Sequence, residues 1–246
     1  MNQNHNKLLA SQLKQILGLE REPVGVSFMK ELPLGGMPGF DTDTKTRYCQ
    51  ALMRAGQGEQ IVISASNISC PASAAAFGLK PLPDKLANGE MLLMMGLFAS
   101  PEAGKKAMEG MTRLPMDEYR YVTLSPLTKM NSAPDVVVFE SVPEHLMWLA
   151  LASIYETGER LQFDTAIFQA TCVDSTVIPF VSGKMNASLG CYGCREATNI
   201  EDSESLLGLP FDQLAALLDS LHKLADKPMI KARSKSAYQS FSGCGE

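Results

Sequence analysis

A chain of 246 residues with 45% hydrophobic content carries enough apolar material for a sizeable core, in one domain or in two like halves. Its 22 basic and 27 acidic residues leave a net charge of −5, which gives no electrostatic footprint for nucleic acid or for an anionic membrane surface. Six cysteines are present, and their meaning depends on the compartment in which the chain works.

The first 22 residues lack the apolar core and small-residue cleavage site of a secretory signal. Leu8, Leu9, Leu13, Ile16 and Leu17 instead form one helical stripe that stops at Gly18. "MLLMMGLF" at 91–98 is too short to span a bilayer. These features predict a cytoplasmic protein, in which the cysteines serve as packed thiols, metal ligands or catalytic groups rather than as disulfides.

In chain order, "PVGVSFM" (23–29) reads as a strand and "PLGGMPGF" (33–40) as a turn-rich loop. A helix over 44–56 presents Tyr48, Leu52 and Ala55 on one face, and "QIVISAS" (60–66) is a β-branched strand. "CPASAAAFG" (70–78) reads as a short helix with Cys70 at its N-cap and Pro71 in the first helical position. A helix near 101–112, strands at 119–127 and 134–140, and helices at 143–155, 165–178 and 211–226 complete the pattern, with Pro179 and Gly183 ending the fifth of these helices. "EDSES" (201–205) reads as an acidic helix start, and Met91, Met94, Met95, Met108, Met111 and Met116 read mostly as core packing. Strands interleaved with helices argue for an α/β fold, with α+β as the alternative.

The cysteines repeat. A helix bearing Cys49 is followed after 21 residues by Cys70, and a helix bearing Cys172 is followed after 19 by Cys191. Both later cysteines follow an Asn-x-Ser, at Asn67 and Asn186, and both segments run on to a Gly-Leu, at Gly78 and Gly208. The pattern predicts two pseudo-equivalent halves, 23–140 and 141–226, after the N-terminal helix (1–22) and before a tail (227–246). Two halves related by a pseudo-twofold would bring two cysteines each to one point.

Four converging thiolates suit an iron–sulfur cluster, here a [4Fe–4S] centre, or a tetrahedral zinc. Ligands spread over more than half the chain, in a protein that needs no zinc staple to fold, favour the cluster. Cys70, at a helix start, faces free backbone N–H groups that favour the thiolate, and Gly190 and Gly193 let backbone N–H groups approach sulfur near Cys191. Cys49 and Cys172 are equally well explained as core residues. Cys194 is a fifth thiol beside the cluster, a replacement ligand, or the redox partner of Cys191 in a CxxC. Cys244, in the polar tail, is incidental. Arg47 and Arg195 flank these cysteines and would offset cluster charge or hold an anionic substrate, the bland alternative being solvated helix ends.

The segments "REPVGV", "RYCQALMRA", "ISCPASAAAFGL", "SPL" with "PDVVVF", "GERLQF" and "NASLGCYGCR" resemble the family called domain of unknown function 169, from about Glu22 to Phe211. The resemblance implies a bacterial or archaeal cytoplasmic protein with cysteines at 49, 70, 172 and 191, and it implies no activity. Nucleotide-binding and zincin motifs are absent, and His5, His145 and His222 form no catalytic arrangement. The expected function is electron transfer, or redox partnership with an enzyme or redox protein, through an iron–sulfur cluster. A CxxC thiol–disulfide oxidoreductase and a zinc-holding, non-catalytic module that docks through a Met-rich face are the alternatives. Neither nucleic acid nor membrane is an expected partner, and a homodimer stays open.

Overall fold

The computed structural model describes residues 3–166 and 168–235, and Cys244 lies outside the described residues. The chain opens with helix α1 (Gln3–Leu17), strand β1 (Val24–Met29), helix α2 (Tyr48–Gly56) and strand β2 (Ile61–Ser64). Four short helices follow, α3 (Pro71–Ala76), α4 (Asp84–Ala87), α5 (Glu90–Met94) and α6 (Pro101–Glu109), and then β3 (Tyr121–Pro126) and β4 (Val136–Ser141). Helix α7 (Pro143–Ser153) precedes a π-helix (Ala170–Val177) that runs into α8 (Ile178–Ser182). The chain continues through β5 (Asn186–Ser188), α9 (Tyr192–Ala197), β6 (Ser205–Pro210), α10 (Leu214–Ala225) and α11 (Pro228–Ser234). Strands and helices interleave, as an α/β reading requires.

The six strands form one sheet in the order β2-β3-β1-β4-β6-β5, antiparallel at every pairing. Helices cover both faces, which is why β4 reads as an unbroken apolar run rather than an alternating one. Val136 and Val138 enter a core shared with α2, α3 and the π-helix, whereas Val137 and Phe139 enter a second core with α1, α7 and α10. Each fully buried Val or Leu in these cores contributes roughly 1.5–3 kcal/mol over an exposed one. No helix among the described residues is long and apolar enough to cross a membrane.

The two strand triplets are laid out alike from the middle of the sheet. Val24 of β1 faces Pro126 of β3, and Val136 of β4 faces Pro210 of β6. Each proline leads into a 3-10 turn, Leu127–Lys129 in one triplet and Phe211–Gln213 in the other. The first N–H of each turn returns to the residue before the inner strand: Leu127 N donates to Pro23 O at 2.8 Å and Phe211 N to Asp135 O at 3.1 Å. By this layout β4 stands at the inner edge of the second triplet, as β1 does of the first. The local matches noted in the sequence do not share positions. Asn67 sits in the turn after β2 whereas Asn186 begins β5, and Gly78 follows α3 at a φ of +67° whereas Gly208 lies inside β6.

Other expectations also change. Residues 165, 166, 168 and 169 are not helical, and Pro179 does not end the helix that begins at Ala170, because it occupies the first turn of α8, into which the π-helix runs. Gly183, at a φ of +65°, is the true stop. Residues 201–204 form a turn that enters β6, not a helix start. Of the methionines assigned to the core, Met108 is buried, but Met91, Met94, Met95 and Met116 are exposed.

A cysteine-lined cavity between two helix starts and a π-helix

Two of the five described cysteines sit on equivalent devices. Cys70 is the N-cap of α3 and Cys191 the N-cap of α9, and neither side chain caps a backbone N–H of its helix. Cys194 is one turn into α9, where its N–H donates to Cys191 O at 3.0 Å. Cys49 lies in the first turn of α2, and Cys172 lies in the π-helix.

The π-helix has a local cause. Its sequence "ATCVDSTV" is rich in β-branched and hydroxyl residues, which are weak α-helix formers. The hydroxyls bond to backbone instead: Ser175 Oγ donates to Thr171 O at 2.6 Å, and Thr176 Oγ1 approaches the same carbonyl at 3.3 Å. Three contacts then fix its place. The Tyr48 hydroxyl, fully buried on α2, pairs with Thr176 Oγ1 at 2.7 Å. Asn186 Nδ2 donates to Asp174 O at 2.8 Å. Gly208 lets the π-helix backbone lie directly on β6, because a Cβ there would collide with the carbonyl of Ser175.

The result is one cavity of about 270 Å³ that all five of these cysteines line. The thiols of Cys49, Cys191 and Cys194 pack as a group, with Cys191 Sγ and Cys194 Sγ 2.8 Å apart. Thr171 Oγ1 donates to Cys194 Sγ at 2.9 Å, and Cys172 Sγ donates to Gln169 O at 3.4 Å. The grouping crosses the sheet triplets. Cys49 of the first meets Cys191 and Cys194 of the second, and Cys70 of the first lines the same cavity as Cys172 of the second. Apolar walls come from Leu86, Met91, Met95 and Phe168, and polar rim groups from Arg47 and Glu196. A larger hollow of about 590 Å³ beside α7 and α10 is lined by Glu156, Asp219 and Lys223 and contains no thiol.

Two of the thiols, Cys172 and Cys194, are poorly disposed to ionise without help. Burial pushes Cys172 well above the ordinary thiol range, and the neighbouring Cys70 adds to it. At Cys194 the Cys191 contact acts downward, but Cys49 and burial prevail and hold the thiol up at about 11. Arg47 is the candidate cation at the cavity, with Nη1 3.4 Å from Gly193 O. Arg195 does not line the cavity. Its guanidinium bonds to the carbonyls of Leu189, Glu201 and Glu204 at 2.6–3.2 Å, tying the α9 segment to the turn before β6. Among the described residues no group of three or more His, Cys, Asp or Glu side chains is already spaced to hold a metal ion. The 2.8 Å sulfur contact is too close for two ligands of one tetrahedral zinc, whose 2.3 Å bonds place sulfurs about 3.8 Å apart, so the two side chains would have to part before both could bind one ion.

Sequence reasoning does not single out Gln169, Thr171 or the apolar wall. Gln169 gives no signal in one dimension, since its distinction is a buried left-handed backbone, with φ 65° and ψ 24°.

The fold and site define a three-layer domain, helices on both faces of an antiparallel sheet, built around a thiol-lined cavity. The chain belongs to the family described as "Uncharacterised ArCR", domain of unknown function 169, which it matches over residues 12–220. It is also 26% identical over 228 residues to an uncharacterized protein of the archaeon Methanocaldococcus jannaschii, a match covering 90% of this chain and 95% of that one. No solved structure matches the chain.

Proposed function

We propose that the cavity holds an iron–sulfur cluster, of the [4Fe–4S] type, and that the protein is an electron-transfer component. It would accept one electron from a reduced redox protein and pass it to an enzyme partner. One observation carries this reading: five cysteines, drawn from α2, the start of α3, the π-helix and the first turn of α9, border one cavity. Burial holds the protons on Cys172 and Cys194, which makes the empty assembly unfavourable to thiolates. A cationic iron centre converts thiols to bound thiolates and reverses that balance. Cys49, Cys70, Cys172 and Cys191 would serve as ligands. Cys194, already hydrogen-bonded by Thr171 and touching Cys191, would stand beside them. Arg47 would offset part of the negative charge of a four-thiolate centre.

A second reading has its own support. The 2.8 Å contact between Cys191 and Cys194 suits a dithiol that loses two electrons and two protons to a disulfide acceptor and becomes a disulfide itself. Protein purified without oxygen distinguishes the two. The cluster reading expects brown protein with iron and acid-labile sulfide in near-equal amounts, and substoichiometric zinc. Colourless protein without iron, in which only Cys191 and Cys194 exchange with a disulfide reagent, would leave the dithiol. Stoichiometric zinc in place of iron would leave a non-catalytic metal module.

A further inference from the structure

Gln169 is the residue before the π-helix, and its backbone is in the left-handed region at φ 65° and ψ 24°. Three non-glycine residues have positive φ among those described, Asp117, Gln169 and Lys235, and of these only Gln169 is buried. A buried glutamine in that conformation is strained, since the region suits glycine and tolerates asparagine. Its backbone is nonetheless well anchored: the carbonyl accepts from Val173 N at 3.0 Å and from Cys172 Sγ at 3.4 Å.

The side chain lines the cysteine cavity, yet its Nε2 is buried without a hydrogen-bond partner. The neighbouring donors are engaged, Thr171 Oγ1 on Cys194 Sγ and Arg47 Nη1 on Gly193 O. The large majority of buried amide donors in native proteins are satisfied, and a donor left open beside a cavity can find its acceptor in what fills that cavity. In a cavity walled by sulfur, that acceptor is thiolate or inorganic sulfide. Strain held at such a position points to a function for the side chain it presents.

We propose that Gln169 Nε2 donates a hydrogen bond to a sulfur of the metal centre and thereby raises its reduction potential. The inference rests on the iron–sulfur reading. An N–H donated to cluster sulfur withdraws charge and stabilises the reduced, more negative state, so it moves the potential upward. Gln169 is therefore a positioning and tuning residue rather than a ligand.

The test is a redox titration, followed by electron paramagnetic resonance, of the full-length protein purified without oxygen, in the wild type and in Gln169→Gly and Gln169→Glu. Glycine suits a φ of 65°, so Gln169→Gly keeps the fold while removing the amide. The expected result is wild-type iron content in both variants and a thermal midpoint in Gln169→Gly at or above that of wild type. The potential shifts negative in Gln169→Gly and further in Gln169→Glu, which replaces a donor with an acceptor. An unchanged potential at full iron content would overturn the tuning role and leave the cluster reading standing. Loss of iron from both variants, with wild type loaded, would overturn it in favour of a purely structural residue. Wild-type protein without iron would overturn the cluster reading and this inference with it.

Discussion

Cys191 and Cys194 show how one short stretch acquires a chemical role. Both lie at the start of α9, and both meet Cys49 from the other strand triplet. Replacing Cys194 with serine keeps an acceptor for the Thr171 hydroxyl and leaves the four proposed ligands untouched. Cys194→Ser is therefore expected to retain most of the iron and sulfide, whereas Cys191→Ser loses at least half of both. Iron and sulfide assays on anaerobic protein decide this, and equal loss in the two variants would make Cys194 a ligand. The spacing of these cysteines is visible in the sequence. Which arginine faces them is not, because Arg47 and Arg195 both flank cysteines in one dimension and only backbone geometry turns Arg195 toward three carbonyls.

Among the elements, the π-helix is the piece on which the cavity depends. Periodicity marks its segment as helical but does not reveal the wider turn. That turn follows from hydroxyl-to-backbone bonds at Ser175 and Thr176 and from the backbone bend at Gln169. The short strand β5 is hidden for a similar reason: three residues carry no period, and Asn186 is held by its amide bonds to Asp164 O and Asp174 O. Gly208 reads in sequence as half of a repeated Gly-Leu, and in the fold it is the point at which the π-helix touches the sheet. Gly208→Ala pushes β6 against the Ser175 carbonyl. It is expected to destabilise the protein by about 3 kcal/mol, the upper part of the range for overpacked cores, and to lower the metal content. Urea unfolding together with iron analysis checks both effects. A variant as stable and as well loaded as wild type would mean that the π-helix does not need that contact.

In the whole molecule, strands β1 to β4 and most long helices are legible because their apolar patterns are long and their breaks are marked by Pro and Gly. The sheet order is not legible, since antiparallel pairing across 100 residues leaves no local trace. The same holds for the three-way contact of Arg21, Glu140 and Glu204, which joins the loop after α1 to β4 and to the turn before β6. Arg21 bonds to both carboxylate oxygens of Glu204 at 3.0 Å and stands 3.1 Å from Glu140 Oε1 without aligned hydrogen-bond geometry. Burial outweighs that neighbour and lifts the Glu140 carboxyl to about 8, from an ordinary 4.5. A carboxyl whose affinity for its proton rises on folding stabilises the fold fully below the unfolded value, and that contribution is lost as pH rises through the folded one. Stability is thus expected to decline from about pH 4.5 to about pH 8, and Glu140→Gln, a permanent mimic of the neutral form, is expected to flatten that decline. Thermal midpoints across this range provide the check, at roughly 2–4 °C for each kcal/mol in a protein of this size. Equal slopes in wild type and variant would place the pH dependence elsewhere.

The convergence of five cysteines from both strand triplets on one cavity is the feature from which the functional account follows. The most direct test is a crystal of the full-length protein grown without oxygen, with anomalous scattering recorded on both sides of the iron absorption edge. The account predicts one strong iron peak inside the cavity, within bonding distance of the sulfurs of Cys49, Cys70, Cys172 and Cys191. A cavity without that peak, with Cys191 and Cys194 joined to each other or with the signal appearing at the zinc edge instead, would contradict it.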